Sequence, residues 1–113
     1  MFGSNTLEKI RKLGEKGKAK KILPYASSKK AEERAAAAAA LGCASDDDTC
    51  NALIGLLRDP VLAVRVNAAG ALKKTGKASV IEHLRQAGKN ATDEAFKAAC
   101  NDAAASLASS SKA

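Results

Sequence analysis

The chain repeats itself at an interval of 31 residues, and this self-similarity limits the possible folds more than any single motif does. Displaced by 31 positions, Ile22-Leu23 falls on Leu53-Ile54, Arg34 on Arg65, Ala37-Ala38 on Ala68-Ala69 and Ala40-Leu41 on Ala71-Leu72, with no gap. A displacement of 32 lays Phe96-Lys97 on Val64-Arg65, Cys100 on Ala68 and Ala103 on Ala71, although the helix before them needs a different loop length. Each unit is a helix pair that cannot bury its apolar faces alone, so stacking of neighbours must supply the core.

Composition says that the repeated elements are helical. Alanine occurs 26 times, against 23 residues of Leu, Ile, Val, Phe, Met and Tyr together. Alanine is the best intrinsic helix former and lets helices approach closely, whereas a β core would need more branched and aromatic residues. The six-alanine run Ala35–Ala40 is therefore a tightly packed helix rather than a linker. The expected fold is all-α: an α-α superhelix of about three helix pairs, at 19–42, 48–76 and 78–107, with residues 1–18 as an N-terminal capping helix, in a single domain over 1–113.

Local signals place the ends of these helices. Leu7, Ile10 and Leu13 form an inward face of the first helix, which Gly14 and Gly17 weaken, and Pro24 requires a distorted turn or a late helix start. The stretch Ser45–Thr49 suits a helix N-terminus. Asp59-Pro60 reads as an N-cap followed by the first helical residue, and Gly76 as a C-terminal cap. The last six residues are expected to fray.

The net charge is +7, and residues 1–34 hold ten Lys or Arg against four acids. Two readings stand: a solvated amphipathic helix with a lysine-rich turn, or an anchor for nucleic acid, anionic lipid or an acidic protein. Cys43, Cys50 and Cys100 match neither a disulfide framework nor a zinc pattern and read as buried small hydrophobes in a reducing compartment. No apolar run is long enough for a signal peptide or a membrane span, which points to the cytoplasm. Catalytic classes find no support. His83 is the single histidine, the glycines of residues 14–21 lack the ending of a phosphate loop, and the acidic turn lacks the glycine and terminal glutamate of a calcium loop. No cofactor is expected.

The stretch Leu53–Leu72 resembles a HEAT repeat of the short bacterial type, also called the phycobilisome-lyase-like HEAT repeat, in which an apolar helix, Asp-Pro, Val-Arg and Ala-Ala-x-Ala-Leu recur. The match weakens over 19–42 and further over 78–107. The resemblance implies that Asp59 and Arg65 tie adjacent repeats together, with Arg34 and Lys97 at the arginine position; Ser28 stands where Asp59 stands in the first pair. It also implies that the second helix of each pair lines a concave surface.

On a helical wheel, Val61, Val64, Ala68, Ala71 and Leu72 face the partner helix, and Leu62, Val66 and Ala69 the next repeat. A strip is left over to face the concave side: Ala63, Asn67, Gly70 and Lys74 in the middle pair, Glu32, Ala36, Ala39 and Cys43 in the first, and Ala95, Ala99, Asp102 and Ser106 in the third. Only Lys74 of these is basic, which disfavours a nucleic-acid groove. The expected function is a non-enzymatic protein-interaction or scaffold module with a protein or peptide partner. The alternative is nucleic-acid or anionic-surface binding through Lys9, Lys12, Lys16, Lys20 and Lys21 with Lys73, Lys74 and Lys77. A minor alternative, implied by the resemblance, is an accessory protein related to phycobilisome chromophore lyases.

Overall fold

The computed structural model describes residues 2–112, and the side chains of residues 5–110. It contains α1 (Phe2–Glu15), α2 (Ala19–Ile22), α3 (Ala31–Ala40), α4 (Asp47–Leu56), α5 (Leu62–Thr75), α6 (Ile81–Asn90) and α7 (Glu94–Lys112). Short 3-10 turns at Leu23–Ser27, Leu41–Cys43 and Ala78–Val80 join or extend them. The fold is an all-helical α-α superhelix: α1, α3, α5 and α7 pack side by side in that order. Behind this layer lie α2 with its 3-10 turn, α4 and α6, each against the longer helix that follows it.

The core runs along the seam between the two layers. Ile10, Leu41 and Leu72, spaced 31 residues apart, are all fully buried, so α1 occupies the place in the layer that α3 and α5 occupy after it. Ala37, Ala38, Ala68 and Ala69 are equally buried. At these sites the small side chain sets the spacing between helices, because a larger one would force the layer apart. Gly14 belongs to the same logic: a Cβ built there would stand 2.9 Å from the Ala40 Cβ, so the glycine does not weaken α1 but lets it lie against α3.

The helix ends follow from residue chemistry. Asp46 caps α4, its carboxylate accepting from the Thr49 backbone N–H at 3.2 Å and from the Thr49 hydroxyl at 2.6 Å. This bonding holds the Asp46 carboxyl below its ordinary pKa. Gly76 ends α5 in the left-handed region at φ 71°, and Pro24 sits in the 3-10 turn that stops α2.

Several expectations change. Asp59 and Pro60 do not open α5; the N-cap is Val61, in extended conformation, because the Asp59 carboxylate folds back on the Val61 N–H at 2.9 Å and forms a turn of its own. Val61 and Leu62, expected to be packed, therefore flank the start of the helix and are each 37% exposed. Cys43 is exposed, while Cys50 and Cys100 are buried. Burial pushes the Cys100 thiol up to about 11. Where fraying was expected, the C-terminal stretch is helical and continues α7 to Lys112, Ala113 lying outside the described residues. Among the described residues no helix is long and apolar enough to cross a membrane.

Candidate interaction surface

The turn between the two helices of a pair is where charge enters the fold. Arg34 reaches back from α3 to its own turn, its Nη1 donating to the carbonyls of Ser28 at 3.0 Å and Lys29 at 3.3 Å. Its other edge crosses to the next pair, Nε donating to Asp59 Oδ2 at 2.7 Å and Nη2 to Asp59 Oδ1 at 3.1 Å. The two side chains are 16% and 6% exposed, so this forked pair lies largely out of water. The Arg34 hydrogen bonds hold the Asp59 carboxyl below the usual carboxylate range, against the upward pull of burial.

Arg65 repeats half of that arrangement. Its Nη1 donates to the carbonyls of Asp59 at 3.0 Å and Pro60 at 3.3 Å, the same positions in its own turn. Among the described residues it meets no carboxylate; its guanidinium carbon lies 5.1 Å from the centre of the Phe96 ring instead. Ser28 keeps the turn but not the ion pair: its hydroxyl accepts from the Lys30 N–H at 3.1 Å and donates to Glu33 at 2.6 Å. Lys97 is exposed and joins no such contact among the described residues, so of the four positions only Arg34 and Asp59 meet as an ion pair. Lys97 therefore does not take the expected arginine role, because an ammonium lacks the flat fork that lets arginine hold two turn carbonyls at once.

The strip positions are all exposed or half-buried, and the structure divides them. Ala36, Ala39, Cys43 and Lys74 line an open groove of about 640 Å³ between α1 and α3, whose other wall is Leu7, Arg11, Gly14 and Glu15. Leu7 therefore faces this groove, half-buried, rather than a closed core. The α1 wall is the part that sequence reasoning missed; Leu7, Arg11 and Gly14 share one helix face, but nothing in their identity says that α3 leaves them uncovered. Arg11 is held on both sides by Glu8 and Glu15. Lys74 enters no ion pair among the described residues, and its aliphatic stem passes close to Gly42.

Elsewhere the strip is pinned rather than open. The Asn67 amide donates to the Ala35 carbonyl at 2.9 Å, bridging α5 to α3, and Asp102 accepts from Lys73 at 2.8 Å, bridging α7 to α5. Glu32, Ala63, Gly70 and Ala99 do not line the groove between α1 and α3. The basic residues are not gathered on one surface either. Lys9, Lys12 and Lys16 share the side of α1 turned away from the groove, Lys73 is committed to Asp102, and Lys77 approaches Asp47 at 3.5 Å. Lys20 and Lys21 stand exposed on α2.

No curated protein matches the chain. The family model for HEAT repeats matches residues 19–105, a span that runs from the start of α2 into α7 and holds both arginine-clamped turns. With most of its length matched and its helices stacked in that order, the chain belongs to the HEAT repeat family.

Proposed function

We propose that the protein is a non-enzymatic interaction module that receives an amphipathic segment of a partner protein in the groove between α1 and α3. The observation that carries this reading is the groove itself: about 640 Å³, open to solvent, lined by Ala36, Ala39, Gly14 and Gly42, with Leu7, Arg11 and Glu15 on its α1 wall and, at its edge, Lys74, which enters no ion pair among the described residues. Small residues bring a partner down to backbone level, where side-chain anchors can bury apolar area, and Lys74 favours an acidic group beside them. HEAT repeats in general serve protein binding and scaffolding, in line with this reading. The 31-residue spacing favours the short type of repeat, arranged as pairs at 19–42, 48–76 and 78–107 behind a cap at 1–18, within one domain.

The test is a photo-cross-linking side chain placed at Ala39 in the full chain, inside native cells. A discrete protein adduct at Ala39, absent from the same probe at the remote exposed Glu82 and absent after Ala36→Arg fills the groove, is the expected result. Equal labelling at both positions would refute the reading. A second reading, binding of nucleic acid or another polyanion, rests on Lys9, Lys12 and Lys16 sharing one side of α1. It requires duplex DNA binding at low salt that falls steeply as salt is added and disappears when these three lysines become glutamine.

A further inference from the structure

Position 91 breaks the repeat in a way that leaves a ready-made binding edge. Ser28, Asp59 and Ala91 each stand three residues before the first residue of α3, α5 and α7, and Arg34, Arg65 and Lys97 each stand three after it. Arg34 and Arg65 are anchored alike, each giving Nη1 to two carbonyls of its own turn at 3.0 and 3.3 Å. That common anchor leaves the Nε/Nη2 edge for the turn of the following pair. On Arg34 the edge holds the Asp59 carboxylate. On Arg65 the corresponding residue is Ala91, and among the described residues Nε and Nη2 have no hydrogen-bond partner.

The space in front of Arg65 suits an incoming anion. A pocket of about 390 Å³ opens there, walled by Ala91 and the Phe96 ring, with Arg58, His83 and Gln86 supplying further polar groups and no Asp or Glu among its lining residues. The Phe96 ring, its centre 5.1 Å from the guanidinium carbon, supports the cation without neutralising it. An arginine fork positioned in this way, with its charge unanswered, matches the two oxygens of a carboxylate.

We propose that this pocket binds a carboxylate group, seated on the Nε/Nη2 edge of Arg65 as the Asp59 carboxylate is seated on Arg34. The molecule itself supplies the template for the ligand: planar, with two oxygens and one negative charge. The pocket shares no lining residue with the groove between α1 and α3, so the two assignments stand or fall separately. The carboxylate can come from a free small acid or from the C-terminus of a peptide.

Titration of the isotope-labelled full chain with acetate and with glutarate, at low ionic strength and against chloride controls, tests the site by nuclear magnetic resonance. Saturable shifts are expected at the Arg65 Nε–H and at the amides of Ala91 and Thr92. In Ala91→Asp a tethered carboxylate should fill the edge, abolish those shifts and raise the melting temperature. Arg65→Lys keeps the charge without the fork and should bind at least about tenfold more weakly, which preserves the test if Ala91→Asp does not fold. A short peptide with a free C-terminus, compared with its amidated form, separates the two sources; binding of the free form alone marks a peptide end. The assignment is overturned if neither acid nor the free-ended peptide gives a saturable shift, if the shifts persist unchanged in both variants, or if phosphate binds at these signals more tightly than the carboxylates.

Discussion

The junction of α3 with α5 and the junction of α5 with α7 use the same repeat and are held by different forces. At the first, a forked ion pair largely out of water, Arg34 with Asp59, is joined by the Asn67 amide on the Ala35 carbonyl. At the second, the equivalent arginine lies over an aromatic ring, and the one ion pair between the helices among the described residues, Lys73 with Asp102, stands 43% and 69% exposed at its two side chains. What stays constant is the clamp of each arginine on its own turn. The guanidinium is thus first a device for closing a turn, and its second edge is left to meet whatever the next pair offers.

If that distinction is sound, the second junction depends on apolar burial. Phe96 is 5% exposed, and Phe96→Ala should lower stability by about 3–4 kcal/mol, read by urea denaturation. Most of this loss comes from the cavity. Phe96→Leu, which keeps much of the volume but not the ring, should recover more than half of it; a leucine variant as unstable as the alanine one would mean that the ring's contact with Arg65 dominates the junction.

The first junction should answer to charge. Asp59 is 8% exposed and accepts from three donors, so Asp59→Ala should cost about 2–3 kcal/mol by the same measurement, part of it from the unpaired cation left behind. Hydrogen exchange should rise first in α3 and in the start of α5, and not in α7. Exchange that rose equally at both junctions would dissolve the contrast between them.

A weaker signature is the response to acid. The folded-state pKa of Asp59 lies below its unfolded value, so the stabilisation is complete above the ordinary aspartate pKa, about 3.9, and is lost as the pH falls through the lower folded value. Asp59→Asn should flatten this acid limb while leaving the shape of the curve near neutrality unchanged. The Asp46 cap shifts in the same direction and contributes its own part, so Asp46→Asn serves as the comparison. An acid limb unaltered in Asp59→Asn, with Asp46→Asn flattening it, would assign the effect to the cap alone.

Much of this contrast was legible in the sequence, and the illegible part has a physical reason. The 31-residue period, the alanine-rich packing, the helix start within Ser45–Thr49 and the cap at Gly76 are local or periodic properties, and the helices follow from them. The start of α5 does not, because Asp-Pro can open a helix or close a turn before one; here the Asp59 carboxylate closes a turn on the Val61 N–H and also accepts from Arg34, 25 residues away. The groove was half legible. Ala36, Ala39 and Lys74 follow from the wheel, but its opposite wall depends on how closely Gly14 lets α1 approach Ala40. The empty edge of Arg65 is visible only once Ala91 is counted back from the true start of α7.

The smallest expected effect concerns the surface bridge of the second junction. Lys73 and Asp102 meet at 2.8 Å, yet both remain in contact with water, where a high dielectric constant and side-chain ordering consume most of the attraction. Asp102→Ala should therefore change stability by no more than about 0.5 kcal/mol, with added salt erasing even that. A double-mutant cycle with Lys73→Ala isolates the pair from the separate effects of each residue. A coupling as large as the loss in Asp59→Ala would show that the second junction also rests on charge, and the division between the two junctions would then lie in geometry alone.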